Sequence, residues 1–146
     1  MRCSFCAIIA GTSPASIVDA DDATVAFLDA RPLFHGHVLL VPREHVETLP
    51  DLPAEAVGPF FQRVQALCVA VTEAMDAEGT FVATNNVVSQ SVPHLHVHVV
   101  PRRRKDGLRG FFWPRTTYAD TAERDAVAAR IARALRTAKP SQSLLK

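Results

Sequence analysis

An α+β fold with a mainly antiparallel sheet is the class this sequence predicts, and three observations carry it. Short apolar runs with strand character lie on both sides of a central stretch whose apolar residues recur every three or four positions. A second helical stretch occupies the end of the chain. No repeat, low-complexity tract or long linker interrupts the 146 residues, and 48% hydrophobic with 21% charged residues suits one core, so positions 1–146 read as a single domain.

The elements follow in order. Ile17 to Val18 and Thr24 to Asp29 read as short strands joined by the acidic turn Asp19-Ala20-Asp21-Asp22, and His37 to Pro42 as a third strand ended by its proline. From Pro53 to Asp76 the spacing of Val57, Phe60, Phe61, Val64, Leu67, Cys68 and Val71 is helical, with Gly79 closing the helix. Thr80 to Asn85 and His94 to Val100 are two further strands joined by a polar segment, and Pro101 stops the second. A last helix runs from Thr121, placed as its N-cap, to Ala138, where Pro140 forbids continuation.

Composition narrows the function classes. A net charge of +1 and a pI near 7.8 give no global reason to expect nucleic acid, and no apolar run is long enough to span a bilayer. The segment Met1-Arg2-Cys3-Ser4-Phe5-Cys6 lacks the apolar core of a signal peptide, so the expected location is cytoplasmic. Three cysteines do not make a secreted disulfide framework, and Cys68 reads as a buried thiol inside the central helix.

The chemistry concentrates in His94-Leu95-His96-Val97-His98, where strand alternation would place three imidazoles on one face, about 7 Å apart. Mere strand solvation does not justify three desolvated imidazoles, and a single ion held by all three would need a strong local twist. A row of this kind suits phosphorus: a neutral ring nitrogen attacks while its neighbours donate to the non-bridging oxygens. His96, flanked on both sides, is the expected nucleophile; Gln90 and Ser91 supply an amide and a hydroxyl beside it. His37, behind Gly36, is either a structural histidine or a functional one to which the glycine allows close backbone approach, and Asp29, eight residues upstream on the preceding strand, is a candidate for ribose hydroxyls, its alternative being a capping or turn role. Cys3 and Cys6 have the spacing of a zinc half-site, which His45 and His94 could complete; otherwise they are two reduced thiols. The run Arg102-Arg103-Arg104-Lys105 is either solvated or helps hold a polyphosphate, and Phe111-Phe112-Trp113-Pro114 is expected to pack on a core or a partner subunit.

Together these residues resemble the histidine triad (HIT) family of nucleotide hydrolases and transferases, from Cys3 to about Lys105, with 106–146 as tail and final helix. The resemblance rests on the pattern of His94 to Val100, on Cys3 to Ile9, Ala26-Phe27-Leu28-Asp29, Gly36 to Pro42 and Gln90 to His94. It implies a five-stranded antiparallel sheet with two main helices, the sheet continuing across a homodimer. It further implies attack by His96 on the α-phosphate of an adenine nucleotide and a nucleotidyl-histidine resolved by water. His98 and His37 would meet phosphate oxygens, Asp29 the ribose, and Gln90 and Ser91 the phosphate and leaving group. Asn85 is preferred over Asn86 as a further nucleotide contact, and structural Zn2+ falls to Cys3, Cys6, His45 and His94, with no organic cofactor. Two departures stand out: the segment Asn85 to Gln90 is about two residues shorter than in many relatives, and Ser89 stands where glycine is common.

The expected activity is hydrolysis of a nucleoside phosphoramidate or dinucleoside polyphosphate. Alternatives are a phosphorylase, which would release ADP instead of AMP in the presence of phosphate, and a nucleotide-binding module without turnover. Processing of adenylated nucleic-acid ends has only the arginine run behind it, and neither nucleic acid nor membrane is an expected partner.

Overall fold

The computed structural model describes residues 3–108 and 115–137. The described residues up to Asp106 form one compact unit, and those from Gly107 belong to a second. The first unit contains α1 (Ser4–Ile9), β1 (Ile17–Ala20), β2 (Thr24–Leu28), β3 (Val38–Pro42), a 3-10 turn (Leu49–Asp51), α2 (Ala54–Ala74), β4 (Gly79–Ala83) and β5 (Val97–Arg102). The strands form one antiparallel sheet in the order β1-β2-β3-β5-β4, which bears out the antiparallel class read from the sequence and the five strands the resemblance implies.

Both faces of this sheet are covered, which is why β3 reads as an unbroken apolar run and all of it is buried. On one face α2 presents Phe60, Val64, Leu67 and Val71, at three- and four-residue intervals, to Ala26, Val38, Leu40, Val97 and Val99. On the other, Phe5 of α1 joins Val25, Phe27, Leu39 and Val41. That second face carries His98, whose register partner is Leu39.

α1 has six residues, too few for a periodic signal, and its N-cap is Cys3, whose Sγ accepts from the Cys6 amide at 3.4 Å. This cap places both thiols on one side of a single turn. Asp21 builds the β1–β2 turn, its Oδ1 accepting from the amides of Ala23 and Thr24 at 2.8 and 2.7 Å. These bonds hold the Asp21 carboxyl below the usual range.

Several expectations are corrected. α2 ends at Ala74, two residues before the expected Asp76 and without Gly79 as its terminator, because Asp76 adopts a left-handed φ of 49° and the Arg103 guanidinium donates to the carbonyls of Met75 and Asp76. Gly79 instead begins β4. Pro101 does not stop β5; it pairs with Thr80 beyond the last β3 partner, Val99, where no ladder donor is needed on the β3 side. The histidine segment enters the sheet only at Val97, since the Leu95 amide goes to the Val46 carbonyl at 2.8 Å.

In the second unit, α3 spans Thr121–Thr137. Its cap is Asp120, not Thr121: Asp120 Oδ1 accepts from the Glu123 amide at 2.8 Å and Glu123 Oε2 from the Ala119 amide at 2.6 Å. The expected end at Ala138 and the block Phe111 to Pro114 lie outside the described residues. Among the described residues no helix is long and apolar enough to cross a membrane.

Candidate active site and metal centre

The histidine row divides in two. His96 and His98 stay together with ring centroids 5.1 Å apart, and His37, at the mouth of β3, joins them at 5.2 Å from His98. His94 turns its reactive nitrogen away, toward the N-terminal thiols.

Hydrogen bonds assign a tautomer to each ring. The Leu33 amide donates to His37 Nδ1 at 3.1 Å, so the His37 proton sits on Nε2. That nitrogen lies 3.0 Å from His98 Nδ1 and donates to it, which leaves the His98 proton on Nε2. His96 Nδ1 lies 2.7 Å from the His94 carbonyl and must carry the proton there, so its Nε2 holds a free lone pair. The carbonyl of His96 accepts from Thr84 Oγ1 at 2.7 Å, fixing the backbone behind the ring. Burial keeps His98 and His37 neutral. It is the main cause that lowers His98 to about 4, with His96 and His37 adding to it, and it lowers His37 against the pull of Asp29. One ring therefore offers a nucleophilic nitrogen and its neighbour an N–H donor.

These groups border a cleft of about 720 Å³, within the range of small-ligand sites. Phe5, Ile8, Phe27, Leu39 and Val92 line it with apolar surface, while Asp29, Ser91, His96 and His98 line it with polar groups. Phe5 meets Phe27 edge-on at 5.3 Å and His96 at 5.1 Å. Apolar walls beside a nucleophile suit a flat aromatic group joined to an anion. Asp29, His37 and His98 also converge closely enough to suggest a metal. The donor chain argues otherwise, because the Leu33 amide occupies His37 Nδ1 and so keeps the proton on Nε2.

The second cluster has the opposite character. Cys3, Cys6, His45 and His94 bring all four donor atoms within 4.8 Å of one another. Tetrahedral zinc, with Zn–S of about 2.3 Å and Zn–N of about 2.0–2.1 Å, requires S···N edges of about 3.5 Å and an N···N edge of about 3.3 Å. The recorded S···N separations are 3.5 Å for Cys3–His94, 3.6 Å for Cys6–His94 and 3.3 Å for Cys6–His45, with 3.2 Å between the two Nδ1 atoms. His94 is fully buried, and its Nε2 donates to the Pro42 carbonyl at 2.8 Å, leaving Nδ1 as a lone-pair donor. The residues fit a metal, and the bond from His94 to the Pro42 carbonyl already orients one of the rings that would hold it. Burial, then the Cys3 thiol, raises the Cys6 thiol, a cost that a cation would remove.

A model of the HIT domain matches residues 10–105. The chain belongs to the HIT family. An uncharacterized HIT-like protein of Mycobacterium tuberculosis is 39% identical over 110 residues, 74% of this chain and 76% of its own. The adenylylsulfatase HINT3 of Arabidopsis thaliana is 34% identical over 73% of this chain and 55% of its own, and the adenosine 5'-monophosphoramidase hnt1 of Schizosaccharomyces pombe 32% over 78% and 84%. Among solved structures, a HIT family member from Bacillus subtilis has a TM-score of 0.82 at 32% identity, covering 95% of this chain and 99% of its own. A zinc-bound histidine triad protein from Mycobacterium smegmatis has a TM-score of 0.71 at 34% identity, covering 92% and 98%.

In this HIT chain not every candidate lines the cleft. Asp29, Ser91, His96 and His98 do, with His37 buried next to them. Gln90 spends its side chain on the loop, its Oε1 accepting from the Val87 amide at 2.9 Å and its Nε2 donating to the Glu47 carbonyl at 2.5 Å. Asn85 donates to the Ser89 carbonyl at 3.2 Å and Asn86 accepts from the Leu49 amide at 2.8 Å. The shortened loop closes through left-handed Val87 and Ser89, at φ 69° and 61°, conformations costly for a β-branched residue and suited to glycine. The arginine run is engaged within the fold: Arg102 with Asp106, Arg103 at the end of α2, Arg104 with Glu78. Sequence reasoning missed Phe5, Thr84 and the Leu33 amide. Only Phe5 left a trace there, as an apolar residue between the two cysteines.

Proposed function

We propose that this HIT protein hydrolyses adenylyl compounds at the α-phosphate, through a covalent intermediate on His96. The observation that carries the reading is the His96 tautomer: with Nδ1 bonded to the His94 carbonyl, Nε2 is free to attack. In the first step the bond from phosphorus to the leaving group breaks as the bond to Nε2 forms, and the leaving group departs with a proton drawn from solvent, which the attacking water of the second step returns. Water then replaces His96 and AMP is released. His98 Nε2–H faces the charge that develops on the non-bridging oxygens, the apolar walls of the cleft take the adenine, and Asp29 takes the ribose hydroxyls. Similarity to proteins named adenylylsulfatase and adenosine 5'-monophosphoramidase supports the reaction class.

Cys3, Cys6, His45 and His94 would hold a structural Zn2+, which neutralises the thiols and ties α1 to the segment before β5. The reading makes the protein a cytoplasmic homodimer. β4 is an edge strand with Val82 40% exposed, and Val69 of α2 is 65% exposed, apolar surface that a second copy would cover.

The deciding experiment is intact-mass analysis during brief incubation with adenosine phosphoramidate, beside His96→Ala. An adenylyl adduct on the parent and none on the variant, with AMP accumulating, is the expected result. Neither adduct nor AMP, with this compound and with diadenosine polyphosphates, would overturn the assignment; ADP formed on adding phosphate would make the enzyme a phosphorylase.

A further inference from the structure

Arg31 stands apart from the other arginines of the sheet unit. Arg43 donates to the Asp21 carbonyl, Arg63 meets Asp19 and Asp21, and Arg102, Arg103 and Arg104 are engaged as described above. Among the described residues the Arg31 guanidinium has no carboxylate or carbonyl partner, and Arg31 is the arginine that lines the histidine cleft.

Its backbone is fixed there. The Arg31 amide donates to Asp29 Oδ1 at 2.9 Å, while Asp29 Oδ2 faces His37 at 3.7 Å. Pro32 follows and restrains Arg31 to extended backbone. The two oxygens of one carboxylate thus separate the reacting-phosphate side, marked by His37 and His98, from the side held by Arg31. In the nucleotide reading, Asp29 takes the ribose, so the Arg31 side is where substituents of the ribose hydroxyls lie. Dinucleotide sites use the same division of labour: a carboxylate reads a bare hydroxyl, and a nearby arginine accommodates a phosphate placed on it. A guanidinium offers bidentate donors to such a phosphate and offsets its charge beside Asp29.

We propose that Arg31 forms a subsite for a phosphate on the ribose 2′ or 3′ hydroxyl, so that the preferred substrates are adenylates phosphorylated on the ribose as well as at the 5′ position. The proposal rests on the nucleotide reading and names the substrate class of the same cleft.

Calorimetric titration with AMP, adenosine 2′,5′-bisphosphate and adenosine 3′,5′-bisphosphate tests it and tells the two hydroxyls apart. One bisphosphate is expected to bind about tenfold more tightly than AMP, the scale of one charge-assisted bidentate contact. That gain shrinks as salt is raised, disappears in Arg31→Gln and survives in part in Arg31→Lys. Arg31 is exposed, so these variants leave the core untouched. AMP binding with no gain from either extra phosphate, or a gain unchanged in Arg31→Gln, overturns the subsite alone. Binding of none of the three overturns the nucleotide reading and the subsite with it.

Discussion

Gly36→Ala is the substitution whose cost the structure lets us divide into parts. Gly36 has φ +92°, and a Cβ added there would lie 2.6 Å from Met75 Cγ and 2.9 Å from Sδ. The left-handed backbone alone costs an alanine about 1–2 kcal/mol. The overlap adds about 1–2 kcal/mol more, less than a rigid neighbour would impose, because the methionine chain can turn aside. Equilibrium urea unfolding should therefore show a loss of about 2–4 kcal/mol. Removing the obstacle with Met75→Ala should recover only the steric part, giving a coupling of about 1–2 kcal/mol in the double variant while the backbone part persists. Because His37 follows directly, AMP release from adenosine phosphoramidate should fall more in Gly36→Ala than in Met75→Ala. A single-variant loss below about 1 kcal/mol, or strict additivity in the double variant, would refute the claim that this turn is held by left-handed backbone packed against Met75.

Acid should weaken the fold in a defined window. His98 and His37 titrate below their ordinary value of 6.5, so the unfolded chain binds protons that the folded chain refuses. Their stabilisation is complete above pH 6.5 and is lost as pH falls from there, for His98 toward about 4; urea midpoints should drop across that range, and drop less in His98→Gln. The metal centre should bind one zinc per chain, measurable by emission spectroscopy of the purified protein. Zinc at a hundredfold excess over its dissociation constant adds about 2.7 kcal/mol, or roughly 5–10 °C of melting temperature, and Cys6→Ser should abolish that increment.

Much of this was legible in the sequence because the relevant signals are local. The apolar runs of β2 and β3 and the helical spacing of α2 each follow from what that element buries, and the resemblance supplied the family. The four clustered donors could be named because Cys3 and Cys6 fall in one turn and two histidines had no other task. What escaped depends on partners distant in the chain. The histidine segment reads as one strand, yet the Val46 carbonyl draws off the Leu95 amide and sends His94 toward the thiols. The arginine run reads as a free basic patch because nothing nearby announces the end of α2 or Glu78 as its acceptors. Gln90 falls next to the triad in sequence, but the Glu47 carbonyl and the Val87 amide claim its side chain.

The donor chain through His37 and His98 begins at a backbone amide. Every side chain at position 33 except proline's brings that N–H, so leucine could be exchanged for almost anything there while the direction of both rings is preserved. Mutational drift at this position would look neutral in a comparison of side chains, although the peptide group decides which nitrogen of His98 faces the cleft. Leu33→Pro alone would test the position, and a survey of the other amino acids there would find it silent.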